Sequence, residues 1–176
     1  MFTQSQQTVK VWDPLIRIFH WSLATCFLLN FFLLEEGESA HEWVGYLTLA
    51  LVAVRVVWGF IGPQNARFSD FWPTPARIKH HLCELLHGGT PSPDRHNPIG
   101  GLMILALLAG VVLTGLSGWL ATTDLFWGED WIEDLHETSA NLVMGLVGFH
   151  VVAVVWFSRR GPHNLIRIML TGYRDK

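Results

Sequence analysis

Four long apolar stretches, at about 15–34, 41–62, 99–121 and 136–157, leave this chain few folds to choose from. Each is long enough to cross a hydrocarbon core roughly 30 Å thick as a helix. Half of the 176 residues are hydrophobic, and that content comes in blocks rather than in amphipathic stripes. A soluble bundle would put a charged face on every helix, and these stretches have none. The expected fold is an all-α, integral-membrane four-helix bundle of up-down-up-down order, a single domain over 1–176. The first stretch carries Arg17 and His20 and is not followed by a small-residue cleavage site, so it reads as a retained helix rather than a signal peptide.

Four of the nine histidines sit inside these stretches or at their edges: His20, His41, His136 and His150. An ionisable side chain at membrane depth costs free energy and is a functional candidate by default. His136 and His150 are 14 residues apart, which on one helix is about 21 Å and within about 40° of the same face. One therefore belongs near each surface of the membrane. Depth suggests their partners. His20 lies roughly 8 Å in from the start of the first helix, and His150 roughly 10 Å in from the end of the fourth. His41 and His136 each open a helix at the other face. Two imidazoles facing each other across a bundle are the ligand set of six-coordinate electron-transfer haems. The sequence thus predicts two haem b groups per chain, held in the bundle core by His20 with His150 and by His41 with His136. With no C-x-x-C-H motif, they are expected to be bound non-covalently.

Arg55 lies 14 residues after His41, on the same helix face and one haem layer deeper. A guanidinium there is placed for the propionates of the second haem, or for snorkelling to headgroups. Arg17, one turn before His20, is placed for a similar propionate role. Gly45, one turn after His41, and Gly145 and Gly148, between the two histidines of the fourth helix, offer helix surface without side chains to a flat macrocycle. The third stretch holds Gly100, Gly101, Gly110, Gly115 and Gly118 but no histidine, which assigns it to close packing rather than ligation.

All twelve Lys and Arg lie in the N-terminal arm, the first two turns of the first helix, the end of the second, the 63–98 connection or the C-terminal tail. The connections around 35–40 and 122–135 hold none of them and carry Glu35, Glu36, Glu38, Asp124, Glu129, Asp130, Glu133 and Asp134. The positive-inside bias places both termini and the 63–98 connection in the cytoplasm. The opposite, acidic face reads either as ordinary solvation or as a docking surface for a basic or haem-bearing partner.

The rest of the chain is quieter. Residues 1–10 are polar and expected to be mobile. A short amphipathic helix is expected at about 75–87, with Pro75 in its first turn, Gly88 closing it, and Ile78, Leu82, Leu85 and Leu86 against the membrane surface. Pro91, Pro93 and Pro98 then lead back to the bundle. The WGEDWIEDL segment suggests a separate short helix at the outer interface. His80, Cys83 and His87 share a face with zinc-like spacing, though ordinary amphipathic spacing accounts for them as well. Cys26 and Cys83 are not expected to pair. Trp12, Trp43, Trp58, Trp119, Trp127, Trp131 and Trp156 form an aromatic belt.

The segments VWDPLIRIFHW, HEWVGYLTLALVAVRVVWGFIGPQNARFSDF, HNPIGG and LHETSANLVMGLVGFHV resemble the bacterial cytochrome b-561 group, shared with the cytochrome b subunits of nickel–iron hydrogenases. The resemblance implies a di-haem b protein of the bacterial inner membrane, with His20, His41, His136 and His150 as ligands, exchanging electrons with quinone. Many hydrogenase-anchoring members have a fifth apolar segment, and none follows here. The expected function is electron transfer across the membrane between quinone and a redox partner, a periplasmic c-type cytochrome or a dehydrogenase subunit. Two other readings stay open: a superoxide:quinone oxidoreductase, and a membrane anchor for a hydrogenase or formate dehydrogenase. No nucleic-acid partner is expected, and a homodimer is left open.

Overall fold

A computed structural model of the chain describes residues 8–86 and 98–175. Its helices are α1 (Pro14–Phe32), α2 (Ser39–Ile61), the single-turn α3 (Phe68–Phe71), α4 (Pro75–Leu86), α5 (Pro98–Ala121), α6 (Asp130–Arg160) and α7 (Leu165–Thr171). Helices α1, α2, α5 and α6 are long and apolar enough to cross a membrane, and the chain is a multi-pass membrane protein of bundle architecture. Its surface agrees. Phe149 is 63% and Val152 67% exposed on α6, in a row of large apolar side chains that water would not tolerate at this extent.

Local chemistry sets the helix ends. Asp13 caps α1 by accepting from the Ile16 amide at 3.1 Å, and Pro14 takes the first helical position, where a missing N–H costs nothing. The other carboxylate oxygen of Asp13 accepts from Trp58 Nε1 at 3.3 Å, pinning the start of α1 to the end of α2. Gly62 and Pro63 end α2.

The core of the bundle is a cluster with one buried residue from each long helix: Phe19 of α1, Val52 of α2, Val111 of α5 and Val143 of α6. Val143 is fully enclosed and lies seven residues from both His136 and His150. Along the axis that is about 10 Å from each. Helices α5 and α6 approach closely because a side-chain atom on Gly110 would meet Val143 Cγ2 at 2.6 Å.

Three features differ from the sequence expectation. The fourth helix begins at Asp130 rather than near His136, so the WGEDWIEDL segment supplies its first turns instead of a separate interfacial helix. Apolar windows stop where charge begins, but a helix does not. Asp130 and Glu133 in the first turn and Arg159 and Arg160 in the last complement the helix dipole and extend it beyond the apolar run. Second, the N-terminal arm is partly ordered: β1 (Thr8–Lys10) pairs antiparallel with β2 (Tyr173–Asp175), and the Val11 amide donates to the Gly172 carbonyl at 2.8 Å. Asn65 Nδ2 donates to the Val11 carbonyl at 2.6 Å, so both chain ends and the start of the 63–98 connection meet at one end of the bundle. Third, Arg17 is held by the end of α7. Residues 1–7, His87, Gly88, Pro91, Pro93 and His96 lie outside the described residues, as do the side chains of Leu82, Leu85 and Leu86.

Candidate functional site

The bundle brings the four histidines together as two pairs. His20 of α1 faces His150 of α6 with ring centres 6.4 Å apart and planes at 53°. His41 of α2 faces His136 of α6 with ring centres 6.0 Å apart and planes at 71°. Because α6 is one uninterrupted helix, its two histidines are held about 21 Å apart along its axis. Val143, seven residues from each of the two histidines of α6, lies between the two pairs.

These spacings suit a metal between the rings. Metal–nitrogen bonds of about 2 Å on both sides put two imidazole centres roughly 6 Å apart. Among the described residues, no group of three His, Cys, Asp or Glu gathers as a metal cage. The donor set is two imidazoles per site, which fits a metal whose remaining ligands come from a macrocycle.

Unpartnered polar atoms point the same way. Among the described residues, the buried side-chain atoms without a hydrogen bond are His20 Nδ1, Asn30 Oδ1, His41 Nδ1 and Arg55 Nη1. Native structures leave few such groups, since each costs about 1–3 kcal/mol. Three of the four belong to residues singled out from the sequence.

The His41–His136 pair opens into a cavity of about 870 Å³. That is near the upper end of ordinary cofactor sites. His41, Gly45, Thr114, Gly118, His136 and Asn141 are among its lining. Gly45 leaves a flat wall, because a side-chain atom there would touch only Asn30 Nδ2, at 3.8 Å. Gly145 and Gly148 face open space, where a side-chain atom would meet nothing within 4 Å. Glu36, Glu42, Glu133 and Glu137 line the same cavity.

The two arginines separate. Arg55 is only 4% exposed, so it does not snorkel to the surface. Its guanidinium lies over the Phe68 ring, 4.8 Å from the centroid, and keeps one N–H group unpaired. A buried guanidinium with a free donor suits an anionic group. Arg17 instead turns outward: its Nε donates to the Met169 carbonyl at 3.2 Å and its Nη2 to the Leu170 carbonyl. The final carbonyls of α7 lack intrahelical partners and take up this cation. The sequence showed that Arg17 is one turn from His20, but not that a distant helix end would claim it.

Residues beyond the sequence-derived set also contribute. His136 Nδ1 lies 2.8 Å from the Thr114 carbonyl of α5, and the His41 carbonyl accepts from Asn30 Nδ2 at 3.2 Å. Gly118 makes room for the His136 ring. A backbone acceptor has no sequence signature. Gly118 did have one, but it merged with the other glycines of that helix.

The arrangement defines a membrane four-helix protein with a histidine pair at each of two depths. The chain matches the prokaryotic cytochrome b561 family over residues 11–172 and belongs to it. It is accordingly a membrane cytochrome b of electron transfer. Neither the characterised proteins nor the solved structures compared gave a match.

Proposed function

We propose that this protein carries electrons across the bacterial inner membrane through two b-type haems, between quinone and a periplasmic redox partner. The observation that supports it most is the pairing of His20 with His150 and His41 with His136 at ring separations of 6.4 and 6.0 Å. Bound haem b supplies a one-electron couple at each of the two depths. The chain's part is to hold and tune. The four imidazoles would hold the groups from α1, α2 and α6, Gly45 would leave room beside His41 for the group held there with His136, and Arg55 would bind the propionates of the group held by His20 and His150. The apolar cluster around the buried Val143 keeps water from the path between them.

Orientation follows from charge. The strands β1 and β2 and the start of the connection after α2 are at one end of the bundle, and the sequence concentrates its Lys and Arg in these segments. That end is cytoplasmic on the positive-inside bias. The end with His41 and His136 is then periplasmic and acidic, and a basic c-type cytochrome is the complementary partner. Stopped-flow mixing of the reduced protein with a quinone and with a c-type cytochrome, and of the oxidised protein with superoxide, tests the reading. Fast oxidation by quinone and by the cytochrome is expected. Reaction with neither would leave the anchoring role, and reduction of the oxidised protein by superoxide, with the electron passed on to quinone, would favour the oxidoreductase.

Arg55→Ala is expected to lower the midpoint potential of the inner haem, because a fixed cation favours the reduced state. A loss of roughly 60 mV corresponds to a tenfold change in a one-electron equilibrium. Arg55→Lys should retain much of the effect. Redox potentiometry showing equal shifts at both haems, or a shift at the outer haem alone, would contradict the assignment.

A further inference from the structure

The two histidine pairs are built differently. His20 Nδ1 of the inner pair and His41 Nδ1 of the outer pair are both buried without a partner. At the outer pair, His136 Nδ1 donates to the Thr114 carbonyl at 2.8 Å, which leaves Nε2 as the ligating nitrogen. A small network surrounds that bond. Ser117 Oγ donates to the same Thr114 carbonyl at 3.0 Å. Thr114 Oγ1 donates to Ser139 Oγ at 2.9 Å, and Ser139 Oγ donates to the His136 carbonyl at 2.9 Å. Ser117 and Ser139 are both buried, at 2% and 4% exposure.

A carbonyl inside a helix already accepts the amide four residues on, and the side chain of that residue normally screens it. Here the fourth residue is Gly118. A side-chain atom on it would come within 2.8 Å of His136 Cε1 and 2.9 Å of Nδ1. Only its absence lets the imidazole reach the Thr114 carbonyl, whose two lone pairs then serve the helix amide, Ser117 and His136.

We propose that Gly118 and Ser117 are positioning residues that set the reduction potential of the haem held by His41 and His136. The inference rests on the bis-histidine reading of that pair. A donated Nδ1–H makes the imidazole more basic and electron-rich, which favours the oxidised metal. Gly118 permits this bond, and Ser117 weakens it by sharing the acceptor. The two residues, adjacent on one helix, therefore act with opposite signs. A packing role predicts no such opposition.

The test is redox potentiometry on the purified holoprotein, with the low-spin electron paramagnetic resonance signal of each haem recorded alongside. Ser117→Ala should lower the outer potential, by roughly a threefold change in the one-electron equilibrium, about 28 mV at ~59 mV per tenfold. Ser117→Thr, which keeps the hydroxyl, should bring it back. Gly118→Ala should raise the outer potential, and all three should leave the inner one in place. Should Gly118→Ala fail to assemble, the Ser117 pair decides alone. Two intact haems with no outer shift in Ser117→Ala, or a shift that Ser117→Thr does not reverse, would overturn the inference while sparing the bis-histidine reading. An unmutated protein lacking the outer haem would overturn both.

Discussion

Alanine at His20 and alanine at His150 are each expected to remove the same haem and leave the other bound, while alanine at His41 and at His136 removes the second. The ring separations of 6.4 and 6.0 Å pair the residues this way. The fully buried Val143 between the layers keeps the two losses independent. Each variant should therefore keep about half of the haem of the unmutated protein, because a b-type haem has no covalent tether to survive loss of an axial ligand. The spectra should fall into two classes, His20 with His150 and His41 with His136. If His20→Ala and His41→Ala gave the same residual spectrum, the pairing would be wrong. Should all four variants lose both haems, the apolar cluster would not insulate one site from the other.

The second large effect concerns salt. Ten carboxylates lie between Glu35 and Glu42 or between Asp124 and Glu137, with no Lys or Arg in either segment. Nine of them are exposed, Glu42 being half-buried. Glu36, Glu42, Glu133 and Glu137 line the cavity that holds His41 and His136, so the field is centred on the outer pair. Such a surface accelerates encounter with a cationic protein by roughly 10- to 1,000-fold at low ionic strength. Most of that gain should vanish at physiological salt, where the Debye length is about 8 Å. Electron transfer to a basic c-type cytochrome is therefore expected to slow steeply with added salt, whereas reaction with uncharged quinone changes little. A cytochrome rate indifferent to salt would mean that these carboxylates serve solvation only.

The parts of this fold that were legible in the sequence are those with a long-range pattern. Apolar runs gave the four spanning helices, and the positions of His20, His41, His136 and His150 along them gave two depths. The structure places those histidines opposite one another at the matched depths. What escaped was decided by contacts between distant segments. Nothing near Arg17 shows that the last carbonyls of α7 will hold it. The pairing of Thr8–Lys10 with Tyr173–Asp175 joins two polar tails with no hydrophobic alternation to announce it. The start of α6 at Asp130 was hidden because acidic residues favour a helix N-terminus while ending an apolar window. The carbonyl that orients His136 belongs to Thr114, but any residue there would offer one.

The central claim is that each histidine pair holds its own haem, and counting haem in the purified protein tests it most directly. A pyridine haemochrome assay with electron paramagnetic resonance should give two b-type haems per chain, both low-spin, as bis-imidazole ligation requires. A single haem per chain, or a high-spin signal from either, would contradict it.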